Sequence, residues 1–239
     1  MNVTTGQWAH AYARRAGPGK TCADWAGCRV IGETLYAAVS DGAGSAPCSY
    51  LGSMVAVTTF LGAAPQRLAS DGPAAVLTAI QDVVALTAKD QNVPIDDLAC
   101  TLVAAAVGPE KSIFMQVGDG AAVFRIEEGY ETAIIPDQGE FLNTTYFVTM
   151  TTAHEHLKVR EVIGSIQDLA LFTDGIQGLV LHPGTDAPHE AFFQTVFRNI
   201  RAPQGNDSAA EAWLSNMLAS EMVTNRTDDD TSIVVARRT

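Results

Sequence analysis

Short apolar runs closed by Asp-Gly recur along this chain. LYAAVSDG ends at Asp41-Gly42, IFMQVGDG at Asp119-Gly120 and LALFTDG at Asp174-Gly175; an acidic triplet, Asp228-Asp229-Asp230, precedes the last run, TSIVVARR. Such runs read as buried strands that end at the surface of a sheet. Further strands are expected over Thr101–Val107, Ile113–Val117, Ala121–Ile126, Thr132–Ile135 and Ser232–Ala236, with Tyr146–Thr149 and Val159–Ile163 as candidates between Gln138 and Gln167. Helical spacing marks the other segments. One helix is expected from about Ser49 to Ala63, and another from Pro73, carrying Val76, Ile80 and Val83 on one face. Later stripes run through Phe193, Val196, Phe197 and Ile200, and through Ala210, Trp213, Leu214, Met217 and Leu218. Ser208 to Glu211 has the spacing of a capping box.

Two early helices, a run of strands, two late helices and a closing strand predict an α+β fold, with sheets packed together and helices outside. No repeat or long linker interrupts residues 1–239, which reads as one domain. An Asp-Gly pair by itself is also a hairpin signal, because both residues tolerate positive φ. The set argues for more. Carboxylates at several strand ends can converge on one spot, and ionised carboxylates crowd together only when cations neutralise them. Hard oxygen ligands select Mg²⁺ or Mn²⁺.

Composition narrows the partners. The net charge is −12, with 15 Lys and Arg, which argues against nucleic acid as a partner. Small phosphorylated substrates remain compatible where metal ions reverse the sign locally. Cys22, Cys28, Cys48 and Cys100 lack zinc-ligand spacing and read as free thiols of a reducing compartment. The N-terminus carries no long apolar stretch, and the run near Met54–Ala64 is too short to span a bilayer, so a soluble, cytoplasmic protein is expected.

Taken in order, Thr21-Cys22-Ala23-Asp24, Asp41-Gly42-Ala43-Gly44-Ser45-Ala46, Cys100-Thr101, Gly118-Asp119-Gly120, Thr173-Asp174-Gly175 and Asp228-Asp229-Asp230-Thr231 resemble the metal-dependent serine/threonine protein phosphatases of type 2C, in their compact bacterial branch. Gly139 to Thr145 also resembles a segment of that branch. The resemblance implies a four-layer αββα sandwich with two central antiparallel sheets and metals at one edge. It implies two ions, Mg²⁺ or Mn²⁺, and a weaker third. Asp41 would bridge two ions, the carbonyl of Gly42 would contact one, and Asp174 and Asp228 would hold the other. Asp24 would act through metal-bound waters, and Asp119 would serve the third ion. Asp41, Asp174 and Asp228 would carry catalysis through a metal-bound hydroxide that attacks phosphorus in line.

Counting back three positions from Thr231 puts the triplet's ligand at Asp228. Asp229 would then support the site from behind it, and Asp230 would matter least. The chain departs from the family pattern where Ala43 replaces a common His and Ala23 an acidic residue. Arg14, Arg15 and Lys20 lie in the region where the family places its phosphate-binding Arg. The activity implied is hydrolysis of phosphoserine and phosphothreonine in proteins, reversing a Ser/Thr kinase in bacterial signalling. The alternatives are an inactive regulatory module of the same fold, or a hydrolase of small phosphoesters.

Overall fold

The computed structural model describes residues 7–135 and 145–239. Gly139 to Thr144, singled out above, lie outside the described residues. The chain opens with strands β1 (Trp8–Arg15), β2 (Trp25–Ile31) and β3 (Thr34–Ser40), then helices α1 (Ser49–Ser70) and α2 (Gly72–Gln91). Next come β4 (Leu102–Val107), β5 (Lys111–Val117), β6 (Ala121–Arg125), β7 (Glu131–Ile134), β8 (Lys158–Ile163) and β9 (Asp168–Phe172). The last part holds α3 (Gln177–Val180), α4 (Glu190–Arg198), β10 (Gly205–Asn206), α5 (Ser208–Leu218), α6 (Glu221–Thr224) and β11 (Thr231–Arg238).

Two sheets form, in the orders β10-β1-β11-β9-β6-β7 and β2-β3-β4-β5-β8. Every pairing is antiparallel except the short one between β1 and β10. The apolar runs are continuous because both faces of the central strands are covered. In β3, Leu35, Ala37 and Val39 face the other sheet, while Tyr36 and Ala38 pack under α1 and α2. In β9, Leu169 and Leu171 point between the sheets, and Ala170 and Phe172 meet the later helices. Helices, sheet, sheet and helices thus form the four expected layers.

Two expectations need correction, and two strands went unforeseen. Tyr146–Thr149 forms no strand; the N–H of Val148 donates one bond to the carbonyl of Cys100 (2.8 Å), and a turn follows. Strands β1 and β2 escaped the sequence pattern because alternating Ala in WAHAYARR gives little β signal. The cap of α5 is Asp207 instead of Ser208: Oδ1 accepts from the amide of Ala210 (3.0 Å), and Oδ2 accepts from Arg201 and Ala202 (2.7 and 2.8 Å). Among the described residues, no helix is long and apolar enough to cross a membrane.

Candidate metal centre

Strand register decides where the carboxylates lie. Trp25 pairs with Ser40, Leu102 with Val117, and Phe172 with both Ile233 and Ala121. Asp24 precedes β2, Asp41 follows β3, Asp119 follows β5, Asp174 follows β9, and Asp229 stands two residues before β11. All five therefore sit at one edge of the sandwich. Carboxylate oxygens of Asp41, Asp119 and Asp174 lie within 4.8 Å of one another.

The local chain is built to hold them there. Asp41 and Thr101 clasp each other: the amide of Asp41 donates to Thr101 Oγ1 (3.0 Å), and the amide of Thr101 donates to the carbonyl of Asp41 (2.8 Å). Gly42 bridges to Cys100, and a Cβ there would meet the carbonyl oxygen of Ala23 at 2.7 Å. Gly118 turns the chain before Asp119 at φ 105°, a region that favours glycine. Gln177 Nε2 donates to the carbonyl of Asp119, joining the turn after β5 to the start of α3. Thr173 relays between sheet and loop, accepting from the amide of Ser232 (3.0 Å) and donating through Oγ1 to Asp24 Oδ2 (2.8 Å).

Asp24 is wholly buried. Its Oδ2 accepts from Thr173 and its carboxyl lies against that of Asp41, so a proton or a cation must offset the repulsion between the two carboxylates. Burial foremost pushes Asp24 up to about 6. Burial, then the charges of Asp119, Asp229 and Asp24, raises Asp174 to about 7. Asp41 is raised well above the ordinary carboxylate range by burial and by the charges of Asp24 and Asp174. A buried cluster of oxygen ligands that repel one another fits a hard divalent cation.

The three residues of the triplet stand in different settings. Asp228 and Asp229 are both exposed, and the triplet's charge that acts on both Asp41 and Asp174 is that of Asp229. Asp230, expected to matter least, is buried, with Oδ1 accepting from the amide of Gly17 (2.7 Å) and Oδ2 from that of Ala23 (2.5 Å). It is Ser232 whose backbone enters the Thr173–Asp24 relay, and three positions before it stands Asp229.

The basic residues separate too. Arg14 reaches the site's edge, donating through Nη1 to the carbonyl of Asp24 (2.7 Å) with its guanidinium 3.9 Å above the ring of Trp25. Arg15 is half-buried, and its Nη1 is enclosed without an acceptor among the described residues. Lys20 is exposed. Thr173 and Asp230 are the site residues that the sequence left without a role.

Two antiparallel sheets under flanking helices, with an acidic edge suited to divalent cations, define a metal-dependent hydrolase class. The chain belongs to the protein phosphatase 2C family, whose model matches residues 13–219. It is 31% identical over 207 residues to serine/threonine-protein phosphatase 3 of Escherichia coli (strain K12), covering 83% of this chain and 81% of that protein. Among solved structures it is similar to the serine/threonine phosphatase Stp1 from Staphylococcus aureus, at TM-score 0.63 and 14% identity over 95% of this chain and 94% of that one. It is also similar to RsbX in complex with magnesium, at TM-score 0.60 and 13% identity over 96% and 94% of the two chains. At those identities the structural likeness speaks for the fold. The family match ends before the triplet, so the register of Asp228 to Asp230 rests on geometry.

Proposed function

We propose that this chain is a metal-dependent protein phosphatase that hydrolyses phosphoserine and phosphothreonine, acting as one catalytic domain over residues 1–239. Family membership and the similarity to a bacterial Ser/Thr phosphatase support the activity. The observation that carries the mechanism is the convergence of Asp41, Asp119 and Asp174 within 4.8 Å at the sandwich edge.

Asp41, Asp174 and the carbonyl of Gly42 would hold two ions, Mg²⁺ or Mn²⁺. Asp229, in place of Asp228, would complete the second position, and Asp119 would serve a weaker third. Asp24 would act through metal-bound waters. Bound divalent ions supply the Lewis acidity that makes water nucleophilic near neutral pH and offsets charge on the phosphoryl oxygens. The protein's own part is placement. Thr173 fixes Asp24, Thr101 fixes Asp41, and Asp230 fixes the loop that carries Asp24. A bond forms from the water oxygen to phosphorus, the bond to the Ser or Thr oxygen breaks, and that oxygen gains a proton. Ala43 is buried and has no proton to give, so either water or another group of the site protonates the leaving oxygen. Arg14, anchored beside Asp24, and the enclosed Nη1 of Arg15 are the guanidiniums assigned to phosphate. Lys20 is free to meet the substrate's surface.

The setting that fits is the cytoplasm, opposite a Ser/Thr kinase in bacterial signalling. Phosphate release from phosphoserine, phosphothreonine and phosphotyrosine peptides, with Mn²⁺, with Mg²⁺ and with chelator, tests the reading. Turnover of the first two peptides that needs metal is expected; turnover undiminished in chelator after metal stripping would overturn it.

A further inference from the structure

A groove of about 380 Å³ opens in the helical layer beside the acidic edge. Leu179 of α3, Phe192 of α4, Trp213 and Met217 of α5 and Met222 of α6 line it, with Arg226 among its lining residues just past α6. Four of the apolar residues pack their inner sides on the core beneath, while Met222 stands 50% exposed. Aromatic, Met and Arg side chains are the residues enriched at recognition surfaces, and Met adapts to varied partners.

The chain ties this groove to the acidic edge at two points. Leu179 follows Asp174 by five residues of 3₁₀ and α conformation, about 8–10 Å of rise. Arg226 precedes Asp229 by three residues, about 11 Å at most. Arg226 is exposed in a chain of net charge −12 and makes no side-chain ion pair or hydrogen bond among the described residues. A cation left unpaired at the edge of an apolar groove calls for an acidic group on whatever lies there.

We infer that the groove holds the segment of a phosphoprotein substrate next to its phosphorylated residue, taking one large apolar side chain between Met217 and Met222 and an acidic side chain on Arg226. This rests on the phosphatase reading above. An extended chain spans about 3.3 Å per residue, which sets the apolar anchor about three to six residues from the phosphoserine or phosphothreonine.

The test compares phosphopeptides with Leu or Gly at that spacing, each with an acidic or a basic neighbour, against p-nitrophenyl phosphate, which is too small to reach the groove. Leu with an acidic neighbour is expected to raise kcat/KM roughly tenfold, through KM, as burial of one such side chain would give. Met222→Asp and Arg226→Glu should each remove most of that gain while hydrolysing p-nitrophenyl phosphate at the normal rate. A basic neighbour in the peptide should rescue Arg226→Glu.

Fluorescence polarisation of the labelled peptides in chelator reads docking without turnover. If no phosphoester is hydrolysed yet the Leu peptide binds about tenfold tighter than the Gly peptide, the phosphatase reading fails and the groove stands. Equal binding of all peptides overturns the groove, whatever the turnover. So does a sedimentation shift from dimer to monomer in Met222→Asp, which would assign the groove to a second copy of the chain.

Discussion

Asp230 accepts a hydrogen bond at 2.7 Å from the backbone amide of Gly17, which lies 213 positions earlier in the chain. Its second oxygen takes the amide of Ala23, next to Asp24. One buried carboxylate therefore seats the loop that carries the innermost acidic residue of the site, and the backbone of Gly17 lies so close that a Cβ there would strike the carbonyl of Asp228.

The triplet should divide by role under alanine substitution. Asp230→Ala leaves two amides unsatisfied and should cost about 1–3 kcal/mol of stability along with most activity. Asp229→Ala should keep the fold and raise the Mn²⁺ concentration needed for half-maximal rate. Asp228→Ala should be mildest in both thermal unfolding and metal titration. If Asp228→Ala instead shows the largest metal effect, the register drawn from Ser232 is wrong.

Much of the site could be read from the chain because strand ends are marked by their own chemistry. Asp41, Asp119 and Asp174 each close an apolar run, and antiparallel register brings those ends to one edge. The role of the triplet could not be read the same way. Three identical residues before two adjacent hydroxyls carry no internal ruler, and burial alone separates Asp228 from Asp230. Strands β1 and β2 were hidden for a different reason: their alternating Ala, Gly and Cys positions suit a tight seam between layers and carry little intrinsic β preference. The role of Thr173 depends on a contact with Asp24, 149 positions away, which no local pattern encodes.

The metal-free protein should lose stability as the pH rises. Asp24 and Asp174 are raised to about 6 and about 7, whereas unfolded carboxyls titrate near 4. Between those values the folded chain binds more protons than the unfolded chain. The stabilisation is therefore complete below about pH 4 and is lost as pH climbs through 6 to 7. Urea midpoints in chelator should fall over that window, and Mn²⁺ at pH 7.5 should restore them. Added Mn²⁺ should also release protons in weak buffer near pH 6. A midpoint flat from pH 5 to 7.5 would contradict the buried carboxylate cluster.

The far end of the sandwich offers a control. Asp168 is wholly buried and pairs at 2.7 Å with Arg125 and with Arg237, whose side chains are 28% and 31% exposed. Both arginines keep some water, so Asp168→Ala should cost on the order of 2–4 kcal/mol, short of the full penalty for an isolated buried charge. Asp168 lies at the opposite end of β9 from Asp174, and the Mn²⁺ dependence of rate should be unchanged at temperatures where the variant is folded. A shifted metal requirement would mean that the two ends of the sheet are coupled.

Asp41→Asn is the sharpest test of the acidic edge, because Asp41 belongs both to the buried pair with Asp24 and to the cluster with Asp119 and Asp174. Its carboxyl lies against Asp24, is repelled by Asp24, Asp174 and Asp229, and shares the 4.8 Å cluster with Asp119 and Asp174. The amide is nearly isosteric and leaves the backbone clasp with Thr101 intact. Removing one charge relieves the others, so the metal-free variant should unfold at the same or a higher temperature than the parent at pH 7.5. The same change removes the central ligand, so the thermal shift on adding Mn²⁺ should vanish and turnover should fall by about a thousandfold or more. A stable variant that still gains stability from Mn²⁺ and turns over near the parent's rate would take Asp41 out of the metal centre and leave Asp41-Gly42 as a turn.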